Sequence, residues 1–210
     1  MKLYDFPPAA NAQRVRVFLA EKGLSIDSVE VNVREDKQLA EPFTTMNPFH
    51  CVPFLELEDG TVIAESLAIC RYLEELHPEP SLFGTTPAER GVIEMWTRRF
   101  ELDGFLPMLH AVRNHVPMFA GKVVPGDRSD LPQLPAMVER GKEMFAIFMN
   151  RIEPHFADNR FAAGEAFSIA DLTGFFTVRM TKAVGMEIAE DYPNVSRWFA
   201  EVSARPAFQL

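Results

Sequence analysis

The segment Asn47-Pro48-Phe49-His50-Cys51-Val52-Pro53-Phe54-Leu55-Glu56, followed by Asp59-Gly60 and then by Glu65-Ser66-Leu67-Ala68-Ile69, decides the fold. Pro53 lacks a backbone N–H yet heads an apolar strand, which suits a tight turn and a cis peptide bond after Val52. Val52 is then left with an N–H and a C=O outside any helix ladder. Asp59-Gly60 is a hairpin turn signal, and Ser66 stands where an apolar helix begins, as an N-cap would. Strand, turn, strand and helix start converge. They bring the backbone of Val52 and the first N–H groups of a helix to one end of a small sheet, a setting suited to a short peptide-like anion.

Outward from this segment the pattern alternates. Lys2–Asp5 reads as a short strand broken by Pro7-Pro8. Asn11–Lys22 reads as a helix ending at Gly23. Val29, Val31 and Val33 have strand period over Ser28–Val33. Asp36–Phe43 reads as a polar helical crossover, Pro53–Leu57 with Thr61–Ala64 as a hairpin, and Ser66–Leu76 as a helix. The order is βαβαββα. His77-Pro78-Glu79-Pro80 breaks the composition, with a linker over Glu79–Thr86, and everything beyond is helical. Pro87–Arg113 is one helix or two, kinked by Gly104 or Pro107. Ala120–Leu134 is a surface loop. Pro135–Phe156, Ser168–Val184 and Val195–Ala204 are further helices. In Phe167-Ser168-Ile169-Ala170-Asp171-Leu172, Ser168 and Asp171 can form a capping box and Phe167 and Leu172 a hydrophobic staple, stabilising by about 1–2 kcal/mol.

The chain has 210 residues, 47% hydrophobic and 24% charged, as one large domain or two small ones require. Its net charge of −9 and lack of a basic run argue against nucleic acid. No apolar stretch is long enough to span a membrane, and the N-terminus lacks the apolar core of a signal peptide. Two cysteines, Cys51 and Cys70, exclude a disulfide framework and point to a reducing cytoplasm. The five histidines show no metal-binding pattern, so no metal is expected.

Residues 47–73 together with 167–172 resemble the cytosolic glutathione transferase superfamily, with bacterial theta- and nu-like members as the nearest pattern. The resemblance implies a thioredoxin-like N-terminal domain over residues 1–78 and an all-helical C-terminal domain over residues 87–210. It also implies glutathione as co-substrate and a homodimer. The residues agree with the ligand's chemistry. Ser66, at a helix N-terminus, suits the γ-glutamyl carboxylate, and Glu65 suits the ammonium. Val52, beside Pro53, can pair with the cysteinyl unit as an added strand would. Gln38 matches a residue that holds the glycyl carboxylate in relatives. Cys51 stands where relatives often carry Lys or Gln, and His50 is a candidate to replace the missing donor.

Thiol activation decides the chemistry, because a free thiol with a pKa near about 8.5 is mostly protonated at neutral pH. The loop Phe6-Pro7-Pro8-Ala9-Ala10-Asn11-Ala12 has alanines where theta-, zeta- and beta-like relatives place Ser or Cys. Tyr4 lies too early for the tyrosine role of other classes. Asn11 is the best remaining donor, as a side chain or through the N–H groups of Asn11 and Ala12, and it could equally be the N-cap of the first helix. The electrophile pocket is expected between the domains, with Phe6, Pro7 and Pro8 on one wall and Leu106, Leu109, Arg113, His115 and Phe119 on the other. The leading reading is a transferase acting on a small hydrophobic electrophile. The alternatives are a nu-like disulfide or peroxide reductase, a glutathione-dependent β-etherase, or a binding module that has lost activity.

Overall fold

In the computed structural model, which describes residues 1–188 and 190–209, β1 (Lys2–Asp5) lies parallel to β2 (Ser28–Glu30) and antiparallel to β3 (Phe54–Glu56). β3 pairs antiparallel with β4 (Val62–Ala64), giving the order β2-β1-β3-β4. The parallel pair requires a crossover, supplied by α1 (Ala10–Glu21), which buries Ala12, Val15, Val17, Phe18 and Leu19. Period-two alternation buries Leu3 and Asp5 of β1, and Leu3 faces Leu55 across the sheet. The buried carboxylate of Asp5 accepts from Arg16 Nε at 2.6 Å and Nη2 at 3.0 Å.

Two elements differ from the expectation. The β2 strand ends at Glu30 although the valine alternation continues to Val33. The crossover expected over 36–43 is a 3-10 turn, Lys37–Leu39, then a separate short helix, α2 (Phe43–Met46). Pro42 explains the break, since a proline disfavours helical geometry in the residue before it. The hairpin is as expected, and α3 (Ser66–Leu76) packs on α1. Lys22 closes this unit. Its ammonium is buried and meets Glu74 at 2.5 Å, the carbonyl of His77 at 2.7 Å and that of Pro80 at 2.6 Å.

The chain divides into two units. The first is Met1–Pro80 together with Val124–Ser129, a strap that lies far along the sequence; the second is Ser81–Val123 with Asp130 onward. The second unit is helical. α4 (Pro87–Arg99) starts at a capping box in which Glu89 N–H donates to Thr86 Oγ1 at 3.2 Å and Thr86 N–H to Glu89 Oε2 at 3.3 Å. A π-helical segment, Phe100–Phe105, leads into α5 (Leu106–His115). The wider π turn is where Gly104 and Pro107 were expected to kink the chain. A proline ring clashes with the α-helical carbonyl four residues back, and a π turn relieves that crowding. Gly104 also lets the segment approach its neighbours, for a Cβ there would lie 2.7 Å from Thr177 Cγ2 and 2.8 Å from Phe148 Cε1.

α6 (Pro135–Asp158), α7 (Ile169–Arg179) and α8 (Pro193–Ser203) complete the described α-helices of this unit. Trp198 stacks on Phe156 at 4.7 Å and on Phe100 at 5.7 Å between ring centroids. Every residue of Ile169–Val178 is buried. The box at Ser168 is present, with Asp171 Oδ2 accepting from Ser168 N–H at 2.9 Å and Oγ at 3.0 Å. The other oxygen of Asp171 accepts from Ala162 N–H at 2.7 Å and Trp198 Nε1 at 2.8 Å. Burial pushes the Asp171 carboxyl up to about 6, against the pull of those donors. Among the described residues, no helix is long and apolar enough to cross a membrane.

Candidate functional site

The Val52–Pro53 bond is cis, and β3 begins one residue beyond Pro53, leaving Val52 outside the ladder. Among the described hydrogen bonds, none uses the N–H or C=O of Val52. Asn47, buried, shapes the approach to this point. Its side-chain amide donates to the Cys51 carbonyl at 2.9 Å and accepts from Phe49 N–H at 3.2 Å, while its own carbonyl accepts from His50 N–H at 2.9 Å. The loop is thus tied to one side chain, and Val52 projects an unused donor and acceptor, as an edge strand does for an added peptide.

The helix mouth is α3. Glu65, not Ser66, is the N-cap residue, with φ 70° and ψ 121°, and its side chain makes no capping bond. This corrects the N-cap expectation for Ser66, which is the first helical residue. The reason lies in α1, where the buried guanidinium of Arg14 donates from Nη1 to Ser66 Oγ at 2.9 Å. With its oxygen accepting from Arg14, the hydroxyl proton of Ser66 can point to an anion, joined by the unpaired N–H groups of the first turn and the helix dipole. A positive φ is costly for a residue other than glycine, and such strain clusters at ligand sites. At Glu65 it stands beside an exposed carboxylate at that same mouth.

Gln38 is only 8% exposed, and its Oε1 has no hydrogen-bond partner. A buried amide oxygen of this kind costs free energy unless something donates to it, so Gln38 is suited to a ligand. His50 has φ 50° and donates from Nδ1 to the Gly126 carbonyl of the strap at 3.2 Å. Cys51 is half-buried and forms no disulfide. Cys70 is fully buried, and burial pushes its thiol up to about 12, which leaves it unreactive.

Asn11 lies at the start of α1. The N-cap is Ala9, so Asn11 occupies the second helical position and is not the cap, a correction to that expectation. Gln13 N–H reaches Ala9 O at 2.9 Å, and among the described hydrogen bonds none uses the N–H of Asn11 or Ala12. These are first-turn donors of a twelve-residue helix. Tyr4 is engaged elsewhere. Its hydroxyl donates to Glu56 Oε2 at 2.8 Å and its ring stacks on Phe54 at 4.8 Å, and burial and the Glu56 carboxylate raise its pKa. Arg113, in the helical unit, donates to the Lys122 carbonyl and lies 4.8 Å from the centroid of the Phe119 ring. Among the described residues, no group of three or more His, Cys, Asp or Glu is arranged to hold a metal ion.

Sequence reasoning missed Arg14, Asn47 and the strap. Asn47 carried a signal, an Asx residue just before a proline turn. Arg14 and the strap act across long chain separations and had no local one.

Two family models match the chain, the glutathione S-transferase N-terminal domain over residues 10–76 and the C-terminal domain over residues 114–206. The chain is 30% identical over 209 residues to Glutathione S-transferase 2 of Saccharomyces cerevisiae, covering 99% of this chain and 87% of that protein. It is similar to the crystal structure of a glutathione S-transferase class Gtt2 of Vibrio parahaemolyticus, with TM-score 0.85, 35% identity and coverage of 100% of this chain and 96% of that one. It is also similar to a glutathione S-transferase domain-containing protein of Marinobacter aquaeolei VT8, with TM-score 0.88, 33% identity and coverage of 99% and 100%.

Proposed function

The chain belongs to the glutathione S-transferase family, and from that premise we propose that it binds glutathione at the Val52–Pro53 turn and the mouth of α3 and transfers it to a small hydrophobic electrophile. The observation that carries this reading is the unused N–H and C=O of Val52 beside a cis peptide bond, in the same unit as Ser66 held by Arg14. Val52 pairs with the cysteinyl unit. Ser66 and the first N–H groups of α3 hold the γ-glutamyl carboxylate, and Glu65 holds the ammonium. Gln38, His50 and Cys51 face the glycyl end. Residues 1–78 supply these groups, and the helical residues within 87–210 contribute the contacts to the electrophile.

The thiolate is stabilised by Asn11, through its amide and through the first-turn N–H groups of Asn11 and Ala12. An amide donates but cannot accept the thiol proton, so the proton leaves to solvent. Each tenfold gain in thiolate requires about 1.4 kcal/mol of preferential stabilisation, within reach of charge-assisted donors at a helix N-terminus. The thiolate sulfur attacks the electrophilic carbon and forms a C–S bond while the leaving group departs with its electron pair. No metal takes part. We assign the protein to a reducing cytoplasm, as its two free cysteines suit. We further propose a homodimer. Phe49 is 76% exposed, and Val92, Met95, Leu102 and Leu106 of the helical unit are exposed apolar residues; sedimentation at micromolar concentration should return the dimer mass, and the monomer mass overturns it.

The primary test is retention on immobilised glutathione together with turnover of chlorodinitrobenzene. Retention that Ser66→Ala weakens, with turnover by the parent protein, supports the reading. No retention at millimolar glutathione overturns it, and disulfide reduction without chlorodinitrobenzene turnover favours a reductase.

A further inference from the structure

The glycyl end of the proposed site is short of positive charge. Cys51 brings no cationic group, Lys37 is exposed and lies 4.0 Å from Glu35, and Arg34 lies 5.6 Å from the centroid of the Phe6 ring. Yet Gln38 is buried there with an unpartnered Oε1. The strap Val124–Ser129 reaches this region from elsewhere in the sequence and joins the first unit. It is held at three points. Gly126 O accepts from His50, and the Gly126 backbone runs so close that a Cβ would lie 1.9 Å from Phe49 O and 2.9 Å from Cys51 Sγ. With φ 76° as well, the position requires glycine. The third point is Arg128, whose Nε donates to Asp36 Oδ2 at 3.0 Å, with Nη2 on the same oxygen. Asp36 lies two residues before Gln38.

We propose that Arg128, carried by the strap, is the missing cation of the glycyl subsite. The inference rests on the glutathione reading. A guanidinium has five donors in a planar fork and can hold two carboxylates at once. Arg128 uses its Nε–Nη2 edge on Asp36 and is 56% exposed, which leaves the Nη1 edge for a second carboxylate. An extended tripeptide with its γ-glutamyl end at Ser66 and its middle at Val52 would direct its last residue toward Cys51, His50 and Gln38, and the strap lies against Phe49, His50, Cys51 and Asp36. The Gln38 amide then meets the glycyl peptide group, and Arg128 meets the carboxylate. Asp36 holds the guanidinium in place before the ligand arrives, which lowers the ordering cost of binding.

The test is calorimetric titration of the full chain with glutathione and with its glycyl monoethyl ester, in which an ethyl ester replaces the charged glycyl carboxylate. The parent protein should bind glutathione roughly tenfold more tightly than the ester, the loss of one charge-assisted bond. Arg128→Ala should abolish the preference by weakening glutathione alone. Asp36→Asn keeps the guanidinium but removes the charge that orders it, so it should weaken glutathione modestly while the preference over the ester persists. Gly126→Ala, which displaces the strap, should behave like Arg128→Ala. If Arg128→Ala and Asp36→Asn weaken both ligands in parallel, Arg128 only fastens the strap and the inference fails. It fails equally if the parent protein does not distinguish the ligands. Absence of binding to either ligand overturns the glutathione reading itself and this inference with it.

Discussion

Arg14 and Ser66 are joined by a buried hydrogen bond of 2.9 Å that connects α1 to the first residue of α3. The bond orients the serine hydroxyl and keeps a guanidinium beneath the mouth of the helix. A positive charge under the proposed anion site would strengthen it, and in a buried setting it is weakly screened.

Arg14→Met should therefore act on both stability and binding. Loss of a buried charged donor costs about 1–3 kcal/mol, which lowers the melting temperature by roughly 2–10 °C for a chain of this size. Glutathione affinity should fall about tenfold, read by titration. A variant that melts early but binds glutathione normally would limit Arg14 to a structural role.

Asn11→Ala should raise the pKa of bound glutathione by up to about one unit, through loss of one donor to the thiolate, and slow turnover about tenfold. Ultraviolet thiolate absorbance against pH measures the first effect. If neither changes, the backbone N–H groups of Asn11 and Ala12 act alone. Asn11→Asp, which places a negative charge beside the thiolate, should raise the pKa in either case.

Lys22→Met should destabilise by about 3–5 kcal/mol, since it removes an ammonium that meets Glu74, His77 O and Pro80 O in a buried site. Denaturant unfolding monitors the loss. A double-mutant cycle with Glu74→Gln should show coupling above about 0.5 kcal/mol, and additive losses would contradict the clamp.

The peptide unit of Ala162 is held from both sides by titratable groups. Its N–H donates to Asp171 at 2.7 Å, and its carbonyl accepts from His155 Nε2 at 2.9 Å. Desolvation lowers the His155 pKa, so its contribution to stability is present above the ordinary value of about 6.5 and is lost as pH falls through the depressed folded value. Asp171 has the opposite sign. Its carboxyl is raised to about 6, so its contribution is complete below the unfolded carboxylate range and is lost as pH rises through about 6. His155→Gln should flatten the loss of stability on mild acidification, measured by denaturant midpoint against pH. An unchanged profile would show that His155 does not titrate against the fold.

Asp171→Asn replaces an acceptor facing four donors with a group that must itself donate. It should cost about 2–4 kcal/mol, as a buried donor left unsatisfied does, and an unaffected melting temperature would contradict the network.

Local physics made much of this protein legible before any coordinates. Proline and glycine restrict or free φ at their own positions, so Pro53, Gly60 and Pro87 mark a turn, a hairpin and a helix start wherever the chain goes. The spacing of Ser168 and Asp171 sets up a cap within one helical turn, and the alternation of elements before His77 and after Pro87 separates a sheet from helices. Proximity across the fold is different, because no local pattern encodes which distant residues meet. Arg14 reads in sequence as one of several basic residues on a helix; only packing of α1 against α3 places it under Ser66. In the fold Glu65 is the strained cap and Asn11 stands at the second helical position, not at the cap. Gly126 and Arg128 looked like an ordinary polar loop, and their place against His50 and Asp36 is a product of tertiary structure alone.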